Sequence, residues 1–147
     1  MALTESARMC SAAETRFRIQ VPPPTARAIT VIPLDAGSER LVATLAERVW
    51  SGVTFGRASS ATDQLRDVVA TDLVVMVAAA GADASSAAII GEACSRQRIP
   101  TATCVIRGGS ASDAALSRTL AQVRPWSLMV VIAGDHDYVE DFLRSFR

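Results

Sequence analysis

Four short stretches combine small residues with groups able to hold or move charge: "DAGSE" at 35–39, "GADASS" at 81–86, "RGGSAS" at 107–112 and "GDHDY" at 134–138. Each follows an apolar run and precedes a helix-like pattern. Each therefore presents the free N–H groups of a helix start, where the helix dipole favours an anion such as a phosphate. The candidate anion-binding set is Gly37, Ser38, Gly81, Ser85, Ser86, Arg107, Gly108 and Gly109. Within it "RGGSAS" stands out, because Gly108 and Gly109 admit close backbone approach and Arg107 offers a bidentate contact to phosphate or carboxylate. The competing reading is a plain strand-to-helix turn with a solvated arginine.

Acidic residues crowd the same loops. Asp35, Asp83, Asp135 and His136 form a candidate polar rim, joined by Asp113 and Asp137. A carboxylate that caps a helix occupies the place a phosphate would take, and capping is the reading favoured for Asp83 and Asp137. Several carboxylates facing one cleft could hold a divalent cation, but linear spacing does not make them converge, so no metal site is assigned. His136, the only histidine, has acidic neighbours on both sides, a composition suited to acid–base work. Adjacent loop residues point in different directions, however, and a surface or capping-region histidine is the favoured reading.

The chain contains no lysine, which excludes a Schiff base and a Walker-type phosphate-loop lysine. One histidine and three scattered cysteines, Cys10, Cys94 and Cys104, cannot supply a His/Cys zinc site. No G-x-S-x-G elbow accompanies the histidine, so no catalytic set is assigned and the protein is expected to lean away from enzyme chemistry. No cofactor is specified.

The elements that must position these loops follow from periodicity. "AITVIPL", "GVTFGRA", "LVVMVA", "TATCVI" and "LMVVIA" read as strands, separated by helical patterns. In "SERLVATLAERVW" Leu41, Leu45 and Val49 share a face, with Ser38 placed to cap. Over 84–98 the shared face is Ala87, Ile90 and Cys94, with an i,i+4 pair between Glu92 and Arg96; over "SDAALSRTLAQV" it is Leu116, Leu120 and Val123. Asp137 and Glu140 have capping-box spacing at the start of the last helix, and "DQLRDVVA" reads as a short helical or irregular piece. Continuous apolar strands alternating with helices predict a three-layer, doubly wound α/β domain of about five mainly parallel strands over 28–147, Rossmann-like or flavodoxin-like, with ligands at the strands' carboxyl ends. Residues 1–27, with a triple proline after the alternation Phe17, Ile19, Val21, read as an N-terminal arm, either loose or ordered as an edge strand.

Length and composition suit one ordinary domain: 147 residues, half of them hydrophobic, with fifteen basic residues balancing fifteen acidic ones. No overall field recruits nucleic acid or a membrane surface, and seven dispersed aromatics make a poor base-stacking platform. No run is long enough to span a bilayer, and unpaired cysteine spacing reads as reduced thiols, so a cytoplasmic protein is expected.

In order, the segments resemble the GTP-binding domain of the FtsZ/tubulin family over residues 29–137. "GVTFGRASSATDQL" is similar to that family's second strand and following loop, with Asp63-Gln64 at its small-acid-Ala-Gln segment. "ATDLVVMVAAAG" looks like its central strand entering the phosphate loop, "IPTATCVI" like the next strand, and "SLMVVIAGDHD" like the strand ending in a short polar loop. The departures fall on the glycine clusters: "PLDAGSE" keeps only Gly37 and "GADASS" only Gly81, with Asp83 beside it. The resemblance implies a reduced relative that has lost GTP hydrolysis. Together these readings point to a non-catalytic module working through a protein partner or self-association, with at most weak binding of a phosphate-containing small molecule. The alternative is a small-molecule or nucleotide-binding enzyme or sensor using the same edge.

Overall fold

The computed structural model describes residues 27–57 and 71–146. The arm's first 26 residues, "DQLRDVVA" and the Asp63-Gln64 segment lie outside them. Along the described chain run β1 (Ile29–Pro33), α1 (Ala36–Ala46), β2 (Val53–Phe55), β3 (Leu73–Ala79), α2 (Ser86–Arg96), β4 (Thr101–Ile106), α3 (Asp113–Val123), a 3-10 turn (Arg124–Trp126), β5 (Met129–Ala133) and α4 (His136–Arg144). The strands form one parallel sheet in the order β2-β1-β3-β4-β5. This is the expected doubly wound three-layer α/β architecture.

Strand alternation divides the core in two. Ile29, Val31, Leu73, Val75, Val77, Ala102 and Cys104 pack on one face under α1 and α4, which contribute Val42, Leu45, Val139 and Leu143. Ile32, Val74, Met76, Ala78 and Val105 pack on the other under α2 and α3, through Ala87, Ile90, Cys94, Leu116, Leu120 and Val123. Cover on both faces is why β3 and β4 are almost wholly buried apolar runs.

The stripes expected for α2 and α3 are the observed ones, as is the Glu92–Arg96 pair at 2.6 Å. The α1 stripe differs. The helix stops at Ala46, its buried residues are Ser38, Val42 and Leu45, and Val49 is 90% exposed beyond its end. Trp50 replaces Val49 as the anchor there. Its indole N–H donates to the Leu45 carbonyl at 2.6 Å, and its ring packs edge-on to Phe55 and under the Arg144 guanidinium.

Candidate functional site

The chain leaves β1 towards one face of the sheet and leaves β3 towards the other, so a crevice is expected between their carboxyl ends, where doubly wound proteins bind ligands. Asp35 fills that place. One carboxylate oxygen accepts from the Ser38 N–H at 2.9 Å and the other from the Ala79 N–H of β3, also at 2.9 Å. The cap of α1 is thus Asp35, not Ser38. Ser38 sits three residues into a reciprocal capping box, its hydroxyl accepting from the Asp35 N–H and donating to the Asp35 carbonyl. Both carboxylate oxygens are engaged within the fold, and Ser38 is 1% exposed.

The "GADASS" loop is held from the side by α3. Gly81 takes φ +90°, a conformation that favours glycine, and its N–H donates to the Thr119 hydroxyl at 2.9 Å. The Ala84 N–H donates to the Gln122 side-chain oxygen at 2.8 Å, and the Gln122 amide donates back to Asp83 at 3.0 Å. Asp83 does not cap α2. It closes a turn by accepting from the Ser85 N–H and hydroxyl, while Ser85 takes the capping position without capping an amide of α2 through its side chain. These bonds, led by the Ser85 N–H, hold the Asp83 carboxyl below its ordinary range. The N–H groups of Gly81, Ala84 and Ser85, which a phosphate would need, already have acceptors inside the protein.

In the third loop, Arg107 is ion-paired with Asp113 in the first turn of α3, and Ser112 caps that helix through the Ala115 N–H at 3.1 Å. In the fourth, the cap of α4 is Asp135, accepting from the Tyr138 N–H at 2.9 Å. Asp137 lies within the first turn, 3.3 Å from the ring of His136 and 3.7 Å from Arg48, which correct the expected Asp137 cap. The carboxylates do not converge: among the described residues no group of three or more His, Cys, Asp or Glu could hold a metal ion.

The structure brings together only part of the predicted set. Gly37, Ser38 and Gly108 line a cleft of about 290 Å³ on the α1 side of the sheet edge, with Leu41, Ile106 and Ser110 among its other walls. Gly81 faces the opposite side, towards Ala115 of α3. Ser85, Ser86, Arg107 and Gly109 are not among the cleft's lining residues, and neither are Asp135 and His136 of the last loop.

A second depression, of about 370 Å³, lies at the amino edge and was not anticipated from sequence. Gly91, Ile99, Pro100, Pro125, Trp126 and Leu128 are among its walls. Thr101 donates its hydroxyl proton to the Trp126 carbonyl, and the Thr103 and Ser127 hydroxyls meet at 2.6 Å, so the 3-10 turn is pinned to β4. Thr119, Thr101 and Thr103 are all buried polar side chains that bond across elements. The only signal they leave in sequence is a threonine inside an apolar stripe. Among the described residues no helix is long and apolar enough to cross a membrane. No protein-family model and no curated protein matches this chain.

Proposed function

We propose that this protein is a non-catalytic α/β module that works in the cytoplasm through contacts with protein. The observation that carries the proposal is the apolar margin formed by β5 and the residue before it. Leu128 is 84% exposed, Met129 45% and Ile132 48%, beside the depression walled by Pro125 and Trp126. Large apolar side chains left exposed together along one margin of a sheet mark interaction sites. The strand-end loops point the same way, since the Asp35, Asp83 and Asp135 carboxylates and the Gly81, Ala84 and Ser85 amides are spent on holding the fold. Photo-crosslinking from Ile132 and Leu128 in cells tests the reading. Specific adducts with protein are expected, and their absence at both positions, with adducts no different from a probe at exposed Arg118, would sink it.

A second reading, a binding protein or enzyme for a small molecule, is favoured by the cleft at Gly37, Ser38 and Gly108 alone. Its lining is mostly apolar and carries no charge, so any occupant would be small and largely uncharged. The nucleotide implied by the FtsZ/tubulin resemblance is the opposite case. A thermal-shift screen separates the two, because a ligand at ~100 times its Kd stabilises by about 2.7 kcal/mol. A shift with GTP or GDP would revive the nucleotide reading; none is expected.

A further inference from the structure

Resting on that reading, we infer that the partner at β5 is a second copy of this chain, joined strand to strand in antiparallel fashion about a two-fold axis through Val130. The two margins of the sheet differ. β2 is three residues long, too short to template much pairing, whereas β5 presents "MVVIA" with no charge, no proline and no strand beside it among the described residues. Edge strands are ordinarily guarded by just those devices.

The register follows from hydrogen-bond parity. Within β5 the Ala133 carbonyl accepts from the Arg107 N–H, on the β4 side, at 2.9 Å. Alternation therefore turns the backbone groups of Met129 and Val131 inward as well, and those of Val130 and Ile132 outward. An antiparallel copy satisfies these groups when Val130 lies opposite Val130 of the other copy, which places the axis there: the two Val130 residues exchange two N–H···O bonds, and each Ile132 N–H reaches the Leu128 carbonyl of the other copy, about four bonds in all. The same register sets Leu128 opposite the other copy's Ile132, so the most exposed apolar side chains of the margin cover each other twice over.

Charge selects the antiparallel sense. Arg124, exposed and without an acid beside it among the described residues, stands before β5, while Asp135 and Asp137 stand after it. Antiparallel pairing brings the arginine of each copy to the acids of the other, and parallel pairing would bring like charges together. A two-fold contact also closes on itself, so the pairing stops at a dimer.

The experiment uses the full chain with Cys10→Ser. Sedimentation should show a dimer, and Leu128→Asp/Ile132→Asp, which alters only exposed side chains, should raise its dissociation constant by on the order of a hundredfold. Under mild oxidation Leu128→Cys/Ile132→Cys should crosslink to a dimer, and Leu128→Cys alone should not. A monomer at the highest soluble concentration overturns the inference, and so does a dimer indifferent to both changes. A monomer that still gives heterologous adducts from Ile132 overturns the second copy while leaving the protein-contact reading standing. Loss of both removes the two together.

Discussion

At the residue scale the most consequential side chain is Asp35. It satisfies an orphan amide of α1 and an amide of β3 at the point where the two halves of the sheet diverge. Asp35→Ala leaves both without an acceptor and should destabilise the protein by about 1–3 kcal/mol in urea unfolding. An unchanged midpoint would show that water replaces the carboxylate. Asp83 gives a pH signature instead. Its carboxyl titrates below the ordinary value, so the contribution of its loop is complete above that value and is lost as pH falls through the depressed one. A carbon-detected titration should place the Asp83 midpoint below the ordinary aspartate value; a midpoint at or above that value would show that the Ser85 and Gln122 bonds do not hold in solution. Burial pushes Cys94 to about 11 and Cys104 to about 12, from an ordinary 9.0. Here the folded state holds the proton more tightly, so stability is complete below pH 9.0 and declines as pH rises towards 11 and 12. Neither thiol should react with an aromatic disulfide reagent at pH 8 until the protein unfolds.

At the scale of elements, α2 and the 3-10 turn meet with no space to spare. A Cβ on Gly91 would lie 2.5 Å from the Trp126 Cβ, so the glycine is what lets the turn seat against the helix. Alanine at an ordinary helical glycine gains up to about 1 kcal/mol. At this position the overlap should dominate, and Gly91→Ala should cost roughly 1–3 kcal/mol, read as a lowered Tm. A raised Tm would mean that the turn withdraws freely. The glycine pair in "RGGSAS" is different, since a Cβ at Gly108 or Gly109 would meet nothing.

At the scale of the molecule, two clusters share one sheet. Trp50 belongs to the face under α1 and α4, Trp126 to the face under α2 and α3. Because every central strand contributes to both faces, neither can dissolve alone. Variants keeping one tryptophan each, Trp50→Phe and Trp126→Phe, should show single fluorescence transitions that coincide with their own loss of helix signal. Separate transitions in either would mean that the faces unfold independently.

The α/β class, the five parallel strands and the buried stripes of α2 and α3 were legible in the sequence, because apolar period is set by burial and survives in a linear string. Helix starts were less so. Ser38 and Asp137 look as good as Asp35 and Asp135 from residue type alone, and only backbone geometry decides which carboxylate reaches an N–H. The candidate site was legible as a location but not as a chemistry. Sequence places small residues, aspartates and an arginine at the carboxyl edge. Only the tertiary structure shows that Ala79 of β3 and Thr119, Gln122 and Asp113 of α3 had already claimed part of that edge, because each partner lies outside the loop it holds. The exposed margin at Leu128, Met129 and Ile132 belongs to the same category: an apolar strand reads alike in the middle of a sheet or at its end, and strand order is decided by packing.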